Sequence, residues 1–143
     1  MILVDDHVVA ARLASGGVGA VAGRELVPGE VATTCSWWWR LSSALAGEHS
    51  GALSSYFAAL GPGARLAVSR VVGSLPSRLV ILDIRDLIPA MAVLSGEHML
   101  NQLAAEAVVA AEVLQADLVV GRDTPKIRET AGRRGLPYRV ETL

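Results

Sequence analysis

The chain has 143 residues, 52% hydrophobic and 19% charged, which excludes an intrinsically disordered protein and supplies a core of ordinary domain size. A formal net charge of −1 excludes a global field that would draw the protein onto nucleic acid or an anionic membrane. Cys35 is the only cysteine, so no intrachain disulfide can form, and a reducing cytoplasm is expected. The opening MILVDDH has no basic n-region, and no apolar run spans a bilayer without a charge or a glycine cluster. Neither a secretory signal nor a membrane partner is expected.

Residues 1–4 form a short apolar run that reads as a buried central strand. Asp6 stands where it can cap a helix over 7–14, which Ser15-Gly16-Gly17 ends. Residues 16–30 are glycine-rich and read as loop, with a turn at Val27-Pro28-Gly29. Thr33-Thr34 open a helix through TCSWWWRLSSALA, closed by Gly47. Helices over 52–60 and 65–73 follow, stopped by Gly61-Pro62-Gly63 and Leu75-Pro76-Ser77. Residues 78–83 read as an interior strand, apolar on both faces. Asp86 is placed to cap a helix over 87–95, with Pro89 in its first turn. Next come the alanine-rich helix LAAEAVVAAEVL and the strand DLVV at 117–120. Thr124 then stands as a cap before Pro125, opening a helix that ends at Arg134-Gly135 ahead of a final strand over 136–142. This order predicts one domain over 1–143, a three-layer α/β/α sandwich around a mainly parallel sheet.

Parallel sheets of this kind build their sites where strands end and helices begin. Asp5 follows the first strand, Asp123 follows DLVV, and Glu106 sits near the start of the alanine helix. Three carboxylates meeting at one sheet edge would form a divalent-metal site, which points to phosphodiester chemistry. Each has a plainer reading beside it: Asp5 as a helix cap shared with Asp6, Glu106 as a solvent-facing rim residue, and Asp123 as a solvated loop acid. Asp83 reads as a turn or cap residue, and Asp117 as surface at the opposite edge.

Arg40 has three readings. Its guanidinium replaces the metal's charge beside Asp5 or Glu106, it binds a scissile phosphate, or it faces solvent. Trp37, Trp38 and Trp39 are consecutive, and helical residues spaced about 100° apart spread three side chains over about 200°. At least one is therefore expected at a protein interface, in a homodimer or with a partner; the alternative is burial of all three under the helix carrying Tyr56 and Phe57. Arg122, Lys126, Arg128, Arg133, Arg134 and Arg139 read either as a phosphate-binding rim for RNA or as the solvated face of a terminal helix. His7, His49 and His98 lack ligand spacing, and Cys35 reads as a small buried hydrophobe.

The segments VDDH and LVILDIRDLIPAM resemble response-regulator receivers. The stretch between Asp6 and Asp83 holds too many helices for that family, and its lysine-proline loop is absent, Lys126 instead following a proline inside a helix. The better resemblance is to the PIN-domain nucleases, which include the toxins of bacterial toxin–antitoxin pairs. MILVDDHVV resembles their first strand, with its aspartate at Asp5, and VATTCSWWWRL resembles their second helix. RLVILDIRDLIPAMAVL resembles a later strand-helix pair, and AAEAVVAAEVLQADLVVGRDTP the acid-helix-strand-acid ending. The likeness covers nearly the whole chain, by element order more than by identity.

What the resemblance implies is a metal-dependent ribonuclease of the toxin type. Asp5, Glu106 and Asp123 would hold Mg²⁺ or Mn²⁺, Arg40 and Arg122 would contact RNA, and an antitoxin-like protein would be a partner. The chain departs from the family at three of its four acids. The second falls on Arg40, and the third by strict count on Ala104, with Glu106 two places later. The fourth falls on Arg122, with Asp123 one place late. Those departures carry the alternative of a degenerate domain serving dimerisation or partner binding.

Overall fold

A computed structural model describes residues 1–15, 20–21, 24–25, 27, 29–47, 51–74 and 79–142. The expected stop at Gly16-Gly17, the turn residue Pro28, His49, the stop at Leu75-Pro76-Ser77 and the strand start at Arg78 lie outside the described residues. The elements in order are β1 (Ile2–Val4), α1 (Asp6–Ala14), β2 (Ala20–Val21), β3 (Arg24–Glu25), β4 (Val31–Thr34) and α2 (Cys35–Ala46). Then come α3 (Ala52–Ala59), α4 (Pro62–Ser74), β5 (Leu79–Leu82), a 3-10 turn (Ile84–Asp86) and α5 (Ile88–His98). The chain finishes with α6 (Gln102–Leu114), β6 (Asp117–Val120), α7 (Pro125–Arg133) and β7 (Tyr138–Val140).

Five strands form one parallel sheet in the order β5-β4-β1-β6-β7. β1 is central, with Ile2 opposite Val31 on one side and Asp117 on the other. Because side chains alternate along a strand, each strand feeds both faces. Leu3, Leu118 and Val120 enter the core beneath α5, α6 and α7. Ile2, Val4 and Val119 enter the core shared with α1, α2, α3 and α4. Helices on both faces of a parallel sheet make the three-layer α/β/α sandwich expected from the order of elements. No described helix is long and apolar enough to cross a membrane.

Several expectations are corrected. Residues 31–34 are a strand, whereas the sequence reading placed Thr33 in a helix and residues 16–30 wholly in loop. β4 is only four residues long, and its strand identity comes from pairing with β1 and β5. Thr34 then caps α2, its hydroxyl accepting from the Trp37 amide at 3.2 Å. Within the expected loop, β2 and β3 pair antiparallel. Among the described residues β5 is an edge strand, not an interior one. Asp83 accepts from the Arg85 amide at the 3-10 turn, whereas Leu87 holds the cap position of α5 without a side-chain hydrogen bond, so Asp86 does not cap it. Thr124 holds the cap position of α7, but its hydroxyl donates to the Arg122 carbonyl and makes no capping hydrogen bond, and Pro125 supplies the start. Cys35 is exposed, not buried.

Candidate functional site

The carboxyl ends of β1, β4 and β6 leave the sheet on one side, and α1, α2 and α7 start there. Between them lies a cleft of about 630 Å³. Its charged lining comprises Asp5, Asp6, Arg40, Arg122, Asp123 and Lys126. Trp37, Met99, Val120 and Ile127 give it apolar wall.

Asp5 follows β1 and is the N-cap of α1, the role the sequence reading preferred for Asp6. Its Oδ1 accepts from the Val8 amide at 2.8 Å and from the Gly121 amide at 3.0 Å. One carboxylate thus ties α1 to the end of β6. Burial raises the Asp5 pKa to about 6, against the two backbone hydrogen bonds that favour the charged form. Asp6 is the first helical residue and is also buried. Arg40 Nε lies 3.2 Å from Asp6 Oδ2, close enough for charge attraction. The contact is not aligned as a hydrogen bond, so this oxygen has no hydrogen-bond partner among the described residues. Burial lifts the Asp6 pKa to about 6 as well, with the Arg40 charge opposing. His7, half-buried beside them, has its pKa lowered by burial; Asp5 opposes this, and Arg40 and Arg122 add to it.

The other two candidate acids are spent elsewhere. Glu106 is fully buried and does not line the cleft. Its Oε1 accepts from the Ser36 amide in the first turn of α2 at 3.2 Å, bracing one helix against the start of another. Its Oε2 has no hydrogen-bond partner among the described residues. The solvent-facing alternative for Glu106 is therefore corrected. Ala104, the strict-count position, does line the cleft. Asp123 is exposed on the rim, where Arg128 binds its Oδ2 and the Tyr138 hydroxyl donates to its Oδ1 at 3.1 Å. Among the described residues no three acidic, histidine or cysteine side chains stand close enough to share an ion. Asp5 Oδ1 serves two amides, Asp6 faces a guanidinium, Glu106 braces α2 and Asp123 serves Arg128. As placed, these residues do not supply the donor set of Mg²⁺ or Mn²⁺.

Arg40 projects into the cleft, and its partner is Asp6, not the expected Asp5 or Glu106. The C-terminal cations are largely neutralised within the chain. Arg128 pairs with Asp123, Arg133 with Glu129, Arg134 with Glu97 and Glu112, and Arg139 with Asp117. Lys126 donates to the Met99 carbonyl. Arg122 lines the cleft without an ion pair among the described residues. Trp37 is buried, Trp38 is half-buried against the core and Trp39 is 59% exposed, as the 100° spacing requires of at least one.

Sequence reasoning missed two cleft residues. Asp6 was assigned to capping, yet only one of two adjacent aspartates can occupy the cap, and the pair itself was the signal for a second, uncapped carboxylate. Asn101 caps α6, its Oδ1 accepting from the Ala104 amide at 2.9 Å, and lines the cleft. An asparagine immediately before an alanine-rich helix was the signal for it.

No family model matches the chain, and no curated protein matches it. Among solved structures it is similar to the crystal structure of PAE2754 from Pyrobaculum aerophilum, with a TM-score of 0.54 and 18% identity. The match covers 96% of this chain and 89% of that one, and at this identity it is a likeness of fold.

Proposed function

We propose that this chain is a PIN-like domain that has lost its metal centre and serves as a partner-binding module. One observation carries the reading: Arg40, at a position where the resemblance expects an acid, sits 3.2 Å from buried Asp6. A guanidinium supplies in place the positive charge that a cation would bring to that carboxylate. It cannot activate water, because it offers no open coordination position and no Lewis acidity. The internally paired arginines of α7 weigh the same way, since a phosphate-binding rim needs free cations.

Metal-dependent hydrolysis of RNA, with an antitoxin-like partner, is the competing reading. It is favoured by Asp5 and Asp6 lining one cleft. Two measurements separate the readings. RNA is incubated with purified protein and with Asp5→Asn in Mg²⁺ or Mn²⁺, and Mn²⁺ is titrated into both by calorimetry. The expected result is equal, background-level hydrolysis and no saturable heat. Cleavage and Mn²⁺ binding that both vanish in Asp5→Asn would overturn the proposal and establish the nuclease.

A further inference from the structure

The cleft carries its charges in two layers. Asp5 and Asp6 lie at its floor, 5% and 1% exposed, whereas Arg122 and Lys126 stand exposed at its rim. Arg40 answers one of the two floor carboxylates through its contact with Asp6. His7, whose pKa is lowered by burial, adds no charge at neutral pH. The floor therefore keeps an excess of negative charge. Asp6 Oδ2 is also buried without a hydrogen-bond donor among the described residues. A buried acceptor in that condition is costly until a donor reaches it.

The rim has the opposite excess. Arg128, Arg133, Arg134 and Arg139 each meet an acid, but Arg122 and Lys126 meet none among the described residues. Lys126 reaches only the Met99 carbonyl. The start of α7 adds to the same side. Thr124 turns its hydroxyl to the Arg122 carbonyl and leaves the first turn without a side-chain cap, and Thr124, Pro125 and Lys126 all line the cleft. A helix start of this kind favours an anion, the more so beside two cations. Trp37, Val120 and Ile127 supply apolar wall.

We infer that the cleft binds a small zwitterion, its ammonium group reaching Asp6 at the floor and its carboxylate or phosphate meeting Arg122, Lys126 and the start of α7 at the rim. A cleft of about 630 Å³ suits a molecule of that size. Other occupants satisfy one layer only. A simple anion leaves Asp6 Oδ2 without a donor and faces the acidic floor. A simple cation leaves the rim cations and the helix start unanswered. A polynucleotide needs a row of free cations, which the paired arginines of α7 do not supply. This site shares with the partner-binding reading only the premise that no metal ion occupies the floor.

Calorimetric titration in the presence of a chelator tests it, at a pH well above the pKa of about 6 of both floor acids. The probes are glycine, β-alanine, γ-aminobutyrate and ε-aminocaproate, with phosphoethanolamine as the phosphate form. Butylamine and butyrate serve as analogues with a single charge. The expected result is saturable binding of the zwitterions, strongest at one chain length and about tenfold weaker or more for the single-charge analogues. Whichever of carboxylate and phosphate binds more tightly identifies the anionic end. Arg122→Ala and Asp6→Asn should each weaken the best ligand by about tenfold. If Asp6→Asn does not fold, exposed Arg122→Ala and the single-charge analogues decide. No saturable heat from any zwitterion overturns the inference. So does equal binding of a single-charge analogue, or binding left unchanged by Arg122→Ala. Because the chelator removes metal ions, a negative result falls on this site alone. Mn²⁺ binding that is lost in Asp5→Asn falls on the partner-binding reading.

Discussion

The two buried acids among the candidates behave unlike the one on the rim. Asp5 and Glu106 are buried, and each turns one oxygen to a backbone amide of another element, at Gly121 and Ser36. Asp123 is exposed and spends its oxygens on side chains, Arg128 and Tyr138. The lesson is one of solvent competition. A buried amide that loses its acceptor has no water to replace it, whereas an exposed guanidinium does. Residues of one chemical type thus divide into structural fasteners and dispensable surface pairs, with Asp6 between them, buried but facing a cleft.

Removing a fastener should have the largest effect. Asp5→Ala leaves the Val8 and Gly121 amides without their acceptor, and a loss of about 2–3 kcal/mol is expected in urea unfolding. Asp5→Asn keeps a side-chain oxygen for these bonds and should cost less. Equal losses for the two variants would mean that the charge, and not the acceptor, matters.

An intermediate effect is expected from Asp6, and it depends on pH. Its folded pKa of about 6 lies above the ordinary 3.8, so between those values the folded state binds more protons than the unfolded chain. Its contribution is therefore fully present below pH 3.8 and is lost as pH rises through about 6. Stability of the unaltered protein should fall over that window relative to Asp6→Asn, by something on the order of 1–3 kcal/mol. Asp5 shifts in the same direction, and the Asp6 charge is one cause of that shift, so Asp6→Asn also relieves Asp5 and the difference carries both effects in the same sense. Parallel stability–pH curves for the two proteins would show that Arg40 holds Asp6 ionised throughout.

The smallest effect belongs to the rim. Asp123→Ala removes an exposed ion pair and should change stability by no more than about 0.5 kcal/mol in the same unfolding assay. A loss as large as that of Asp5→Ala would abolish the distinction between buried and exposed acids.

Much of the fold was legible because its signals are local. The apolar run before Asp5, the proline opening α7, the glycine closing α2 and the Ala/Val run of α6 each act within a few residues. Their order is enough for a parallel three-layer sandwich. β4 was not legible, since Val31–Thr34 is too short to show a period and becomes a strand through neighbours distant in sequence. The site was legible as a place and not as an arrangement. Strand ends put Asp5, Arg122 and Asp123 around one cleft, as position alone suggested, and Arg40 reaches it from α2. Which oxygen meets which nitrogen was decided by the packing of α2 against α1 and α6, which sets Arg40 on Asp6 and Ser36 on Glu106. The same limit applies to β5, whose apolar residues read as an interior strand. Hydrophobicity records what a strand will bury, but only the sheet order shows that among the described residues it has a single neighbour, β4.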